Sequence, residues 1–319
     1  MKKLVRIIGI SVAIIIFLLA VGATYIQVTG IPSYETMSPE IQLPTDSASL
    51  AHGEALAKII CAGCHMNEAG DRLSGSQMTD ASEEFGTIHS ANITHSKYGL
   101  DRYSDGELLF LLRTGIKRDG QYSPPWMVKL PLMSDKDITS IIAYLRSDDD
   151  ILEGVDKPAP LSEPSFLVKF LSHVAFKPLP YPQKTIVAPP VTDTKAFGRY
   201  LAVGRYDCYG CHSADFKTVD PMVPENSEGF FGGGNPLTNE SGELVRSANI
   251  TPDRETGIGN WTEEEFANAV RSGIRNGKPG LSTVMPRFTT MTDQEVHALY
   301  TYLKSIPPLK KEITRYAGM

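Results

Sequence analysis

The pattern Cys-x-x-Cys-His occurs twice in this chain, at Cys61-Ala62-Gly63-Cys64-His65 and at Cys208-Tyr209-Gly210-Cys211-His212, and it uses all four cysteines. The residues downstream of each motif repeat as well. Ser90-Ala91-Asn92-Ile93-Thr94 returns as Ser247-Ala248-Asn249-Ile250-Thr251, and Arg113-Thr114-Gly115-Ile116 as Arg271-Ser272-Gly273-Ile274. Ala143-Tyr144-Leu145-Arg146-Ser147 returns as Thr301-Tyr302-Leu303-Lys304-Ser305. Self-similarity at this period means two copies of one folding unit. The offset is 147 at the cysteines (208 minus 61), 157 at the asparagines (249 minus 92) and 158 at the tyrosines (302 minus 144). The second copy therefore carries ten extra residues between motif and asparagine, assigned to the glycine-rich run Phe230-Phe231-Gly232-Gly233-Gly234.

Each copy has the same helical punctuation. A short helix, 50–60 or 196–205, is expected to lead into the cysteines. A second begins at a capping box, Ser104-x-x-Glu107 or Thr262-x-x-Glu265. A third begins at Ser134 or Thr292 and carries Ile138, Ile141, Ile142 and Leu145, or Val296, Leu299, Tyr300 and Leu303, on one face. No alternating strand pattern of useful length is present, so the fold class is all-α. Residues 31–155 and 191–319 are read as the two domains. Between them, 156–190 holds eight prolines, including Pro158, Pro160, Pro178 and Pro180, which fix φ and give a semi-stiff connector. Its apolar segment, Ser165 to Phe176, is too short to span a bilayer. It reads either as a short helix packed across the domains or as a surface for a membrane partner.

The N-terminus sets the compartment. Lys2, Lys3 and Arg6 precede an uncharged, mostly apolar run from Ile7 to about Val28. About 20 such residues in a helix cross a hydrocarbon core of roughly 30 Å, and flanking cations stay in the cytoplasm. Residues 1–30 are thus expected to be a single-pass inner-membrane anchor, with all later residues on the periplasmic side. A cleaved signal peptide ending near Val21-Gly22-Ala23 is the alternative, but its apolar core would be shorter. The net charge of -6 and pI near 5.7 exclude the basic surface a nucleic-acid partner needs.

In an oxidising compartment four cysteines usually make two disulfides. That leaves the histidine after each pair unexplained, and a zinc site would need further convergent ligands. Cys-x-x-Cys-His is the attachment signature of c-type haem: two thiols held by a short turn add to the two vinyl groups of the porphyrin edge, and the adjoining histidine ligates iron. Two covalently bound haems are therefore expected, on Cys61, Cys64 and His65 and on Cys208, Cys211 and His212.

The opposite axial ligand of an electron carrier is often a thioether. Two methionine pairs recur at an offset of 158, Met127 with Met285 and Met133 with Met291. Met133 and Met291 each precede an N-cap, where an apolar residue staples against Ile138 or Val296. Met127 and Met285 lie in the preceding loops and are the expected ligands. His52, His89, His95, His173 and His297 have no repeat counterparts and are read as structural or solvent-facing.

With these residues in place, the sequence resembles the class I cytochrome c domain family, as a membrane-anchored dihaem cytochrome. The stretches Phe85-Gly86-Thr87-Ile88, Asn249-Ile250-Thr251-Pro252-Asp253 and Thr256-Gly257-Ile258-Gly259-x-Trp261-Thr262 look like the multihaem cytochrome subunits of periplasmic alcohol and gluconate-type dehydrogenases. The resemblance implies single-electron transfer between a dehydrogenase or quinol-oxidising donor and an oxidase or soluble cytochrome. It also implies that Gly53 and Gly198 sit where first and last helices cross, against Tyr144 and Tyr302, with Asn92 and Asn249 in the loop facing the haem. Two departures stand out: such subunits typically hold three haems, and Met127 is followed by Val128 where proline is usual. A dihaem enzyme of peroxidase or thiosulfate type, with one open iron, is the competing class.

Overall fold

A computed structural model describes residues 2–79, 83–239, 241–275, 277 and 279–314. The α-helices are α1 (Lys2–Thr29), α2 (Ser47–Ile60), α3 (Ala62–His65), α4 (Asp105–Thr114) and α5 (Asp135–Tyr144), then α6 (Phe166–Val174), α7 (Thr194–Tyr200), α8 (Cys208–His212), α9 (Glu263–Ser272) and α10 (Asp293–Ser305). Among the described residues, strands are confined to two small antiparallel pairs, β1 (Gly86–Thr87) with β2 (Glu163–Pro164) and β3 (Pro236–Thr238) with β4 (Leu244–Arg246). The fold is all-α. α1 is long and apolar enough to cross a membrane, and none of its residues is buried in the protein.

Two apolar cores organise the rest. One gathers Leu56, Leu108, Met133, Ile138, Ile142 and Leu152; the other gathers Phe197, Leu201, Phe231, Phe266, Met291, Leu299 and Leu303. In each, the helix before the cysteines crosses the last helix at a glycine. A Cβ on Gly53 would lie 1.9 Å from the Ser140 carbonyl oxygen and 3.1 Å from the Tyr144 Cβ. One on Gly198 would lie 1.9 Å from the Ala298 carbonyl and 2.8 Å from the Tyr302 Cβ. Only a residue without a side chain lets the backbones approach this closely.

The extra residues of the second copy are not in the glycine run. Leu73 O accepts from Ile93 N–H and Phe231 O from Ile250 N–H, which makes Leu73 and Phe231 equivalent. Leu73 comes 8 residues after its motif histidine (73 minus 65) and Phe231 comes 19 after its own (231 minus 212). The insertion thus precedes Phe231, in the segment that makes 3-10 turns at Phe216–Thr218 and Pro224–Asn226. Sequence alignment of the glycines alone misplaces it, because the downstream hairpins are nearly equal in length.

The proline-rich stretch runs along the first core. Leu179 N–H donates to Thr114 O, Asp135 N–H to Ile186 O, and the Tyr181 and Phe110 rings lie 5.7 Å apart. Its apolar segment is the helix α6, whose Val168 packs with Phe85 and Ile88.

The two cores are joined by a buried polar network. Among the described residues, three helices carry complete capping boxes, in which the N3 glutamate accepts the N-cap N–H: Ser104/Glu107, Thr262/Glu265 and Thr292/Glu295. At α5 the N3 residue is Asp137, and the Ser134 N–H is accepted instead by the Tyr200 hydroxyl of the second unit, at 2.9 Å. That hydroxyl donates in turn to Asp137. Asp137 also accepts from Arg205 Nε at 2.7 Å and from His52 Nε2 at 2.9 Å. Arg205 Nη1 reaches Glu295, 2.5 Å away. Asp137 and Glu295 are repeat equivalents (295 minus 137 is 158), so the two copies converge on one guanidinium. Burial opposes ionisation of Asp137, but the bond from His52 and the Arg205 charge outweigh it and hold the carboxyl well below the usual carboxylate range.

Removing one partner of a buried pair strands the other, at a cost of about 3–5 kcal/mol. Arg205→Met is therefore expected to lower the unfolding midpoint by that equivalent and to split a single denaturation transition into two. Urea titration followed by far-ultraviolet circular dichroism checks this; an unchanged midpoint would remove the network from any structural role. Because the Asp137 pKa is lower folded than unfolded, its contribution is complete above the unfolded value of about 3.9 and fades as pH falls through the folded one.

Candidate cofactor site

In the second unit a π-helical turn, Leu201–Arg205, ends α7, and Asp207 adopts a left-handed conformation (φ 49°) before the chain re-enters a helix at Cys208. Cys208, Cys211 and His212 thereby share one cavity of about 450 Å³. Its remaining lining is largely apolar and includes Ile258, Trp261, Phe266 and Val270, then Met285, Phe288 and Met291, then Leu299 and Leu303. The volume is that of a small-molecule or cofactor site.

The histidine is oriented by the backbone. His212 Nδ1 lies 2.7 Å from the Ala248 carbonyl oxygen, and His65 Nδ1 lies 2.8 Å from that of Ala91. A carbonyl only accepts, so Nδ1 carries the proton and Nε2 holds the lone pair in both rings, the arrangement of a metal-ligating imidazole. Burial pushes the His65 imidazole down, which keeps it neutral at pH 7.

The carbonyl is itself fixed. Asn249 Oδ1 accepts from Thr251 N–H at 2.9 Å and from Thr251 Oγ1 at 2.7 Å, while its amide donates to Leu309 O at 2.7 Å and Thr256 Oγ1 at 2.9 Å. Asn92 does the same with Thr94, at the same two distances, and donates to Val155 O and Lys157 O. Gly75 and Gly233 pass so close beneath that a Cβ would meet Ser90 O or Ala248 O at 2.4 Å. Both have positive φ, and their N–H groups donate to His65 O and His212 O.

Cys61 and Cys208 carry free thiols, so neither motif is closed into a disulfide. Burial, then the neighbouring Cys64, pushes the Cys61 thiol up to about 12; burial, then Asp207 and Cys211, does the same to Cys208. Zinc needs thiolates and further ligands, and no cluster of three or more His, Cys, Asp or Glu able to hold a metal ion occurs among the described residues. Two thiols and an oriented imidazole on an apolar cavity with a thioether in its wall fit a covalently attached haem.

The structure treats the expected methionines differently. Met285 lines the cavity with Cys208, Cys211 and His212. Met127 is half-buried in the loop after Pro124-Pro125, and its sulfur accepts from Ser123 Oγ at 3.6 Å. Its neighbour Trp126 packs with Phe85 and Phe216 in a third cluster. Met133 and Met291 are buried beside Ile138 and Val296. Their carbonyls accept from Arg113 Nη1 at 2.6 Å and Arg271 Nε at 2.8 Å. Met291 also contributes to the cavity wall.

Among the unrepeated histidines, His52 joins the Asp137 network and His297 pairs with Glu263, while His173 contacts Gly30 O. His89 and His95 each keep one buried ring nitrogen for which no partner is found among the described residues. Sequence reasoning missed Asp137, Tyr200 and Arg205. The available signal was the aspartate standing where the other capping motifs have glutamate.

The cytochrome c subunit of alcohol dehydrogenase (quinone) from Gluconacetobacter polyoxogenes is 29% identical to this chain over 277 residues, covering 83% of this chain and 57% of the relative. The chain is a relative of dehydrogenase cytochrome c subunits. The fructose dehydrogenase cytochrome subunit of Gluconobacter japonicus is 27% identical, covering 81% of this chain and 53% of its own length. The gluconate 2-dehydrogenase cytochrome c subunit of Pantoea cypripedii is 26% identical, covering 82% and 60%. The chain thus spans a little over half the length of these cytochrome subunits. No protein-family model matches it.

Truncating Asn249 leaves the buried Thr251 N–H without its acceptor, a cost of about 1–3 kcal/mol. Asn249→Ala is expected to lower the denaturant midpoint accordingly, whereas Asn260→Ala, at an exposed site, is not. Equal effects would mean that the asparagine does not hold this loop.

Proposed function

We propose that this chain is a dihaem c-type cytochrome that carries single electrons. Cys61 and Cys64 would hold one haem and Cys208 and Cys211 the other, with His65 and Met127, and His212 and Met285, as the side chains that would ligate the two irons. Residues 31–155 and 191–319 form the two cytochrome domains, 156–190 connects them, and residues 1–30 hold the chain in the inner membrane with both haems on the periplasmic side. The cytochrome subunits it resembles are named for dehydrogenases, which supports a dehydrogenase partner; in this reading the donor is a dehydrogenase or quinol-oxidising complex and the acceptor an oxidase or soluble cytochrome.

The observation that supports this reading most is the shared cavity of Cys208, Cys211, His212 and Met285. Bound haem supplies one-electron chemistry, its iron passing between ferric and ferrous. The chain's own residues do the rest. Ala91 and Ala248 carbonyls fix the imidazole tautomers, the apolar walls exclude water, and a thioether sulfur favours the ferrous state. No acid, base or nucleophile is required.

Denaturing mass spectrometry of the matured full chain is expected to show two haems added, and one after Cys208→Ser/Cys211→Ser. The dithionite-reduced spectrum should not change with carbon monoxide. Met285→Ala should open one haem to carbon monoxide and lower its potential, while Met291→Leu should affect stability alone. Reaction of the wild-type protein at one haem would instead favour the enzyme reading, with Met127, bonded to Ser123, as the weak ligand.

A further inference from the structure

α6 meets α1 at the C-terminal end of α1 and the residue after it. His173 Nε2 lies 3.0 Å from Gly30 O and 3.5 Å from Thr29 Oγ1, and the His173 and Tyr25 rings are 6.0 Å apart. Lys169 Nζ lies 3.3 Å from Gln27 Oε1. These partners mark the end of the apolar run, where a membrane-crossing α1 would leave the hydrocarbon and where aromatic residues such as Tyr25 concentrate.

α6 is strongly two-faced. Val168 and Ser172 are fully buried against the first unit. Phe166, Leu167, Phe170 and Val174 are 40–58% exposed on the other side, with the Phe166 and Phe170 rings stacked. Lys169 lies at the margin of that face by helical position, and the exposed Lys177 follows three residues after the helix ends. An amphipathic helix with aromatic and aliphatic residues on one face and lysines at its margin lies in the plane of a membrane interface, about 5–10 Å into the headgroup and acyl boundary.

We propose that α6 is an interfacial helix seated in the outer leaflet of the membrane that α1 crosses, with Phe166, Leu167, Phe170 and Val174 among the acyl chains. Lys169 and Lys177 then reach lipid phosphates. The proposal rests on the reading of α1 as a retained span. Its consequence is orientation. β2, just ahead of α6, pairs with β1 (Thr87 with Glu163), and Val168 packs with Phe85 and Ile88. The first unit is therefore held at two points, α1 and α6, and presents a fixed face to a donor in the same membrane.

The test uses the haem-loaded full chain in vesicles of phosphatidylethanolamine and phosphatidylglycerol, with p-benzoylphenylalanine replacing Phe170, Val174, Ile16 or Glu243 in turn. Illumination links the probe to whatever touches it, and mass spectrometry reads the adduct. Lipid adducts at positions 16, 170 and 174, severalfold above position 243, are expected. Adducts at 16 but not at 170 or 174 would leave the span standing and overturn the interfacial helix. No adduct at 16 would remove the span itself, and the proposal with it. A link from 170 to a second copy of the chain would replace the bilayer with a protein interface.

Discussion

A single buried carboxylate, Asp137, ties the two halves of this molecule together. An ionised group 2% exposed is tolerated only when its charge is met and its lone pairs are filled. Here the partners come from both units: His52 from the first, Tyr200 and Arg205 from the second. The tie also uses a helix end. The first turn of α5 has an N-cap N–H that its own N3 aspartate does not accept, and the second unit's tyrosine accepts it. Neither half completes its polar bonding alone.

Rigid juxtaposition of this kind bears on the electron transfer proposed above. Tyr206 comes directly after Arg205, packs against both cores and lines the cavity of the second unit, where its ring meets Phe288 edge-on at 5.1 Å. The ion pair and the cavity wall are therefore adjacent positions in one stretch of backbone. In a two-cofactor carrier, such a connection keeps the separation of the sites constant while partners come and go at the surface.

Much of this was legible in the sequence. The duplicated motif pointed to two copies, the Ser/Thr-x-x-Glu spacing marked helix starts, and the position before each N-cap placed Met133 and Met291 beside Ile138 and Val296. These signals are local, set by residues within one or two turns of each other. The Asp137–Arg205 pair is 68 residues apart and depends on how two folded units meet, for which single-sequence periodicity carries no information. The position of the insertion was missed for a related reason. A glycine-rich run looks like an inserted loop, but equivalence is set by which carbonyl accepts from Ile93 and Ile250.

The repeat is most faithful where the chemistry is most demanding. His65–Ala91 and His212–Ala248 agree within 0.1 Å, and the Asn92–Thr94 and Asn249–Thr251 bonds agree at both distances. Divergence collects around the methionines: Arg287 donates to the carbonyls of Leu281, Ser282 and Met285, whereas its counterpart Lys129 donates to Pro124 O and lies over the Tyr122 ring at 5.1 Å. A guanidinium can clamp several carbonyls of a loop at once, and an ammonium on a flexible stem pins it less firmly. The loop carrying Met285 is thus better braced than the loop carrying Met127.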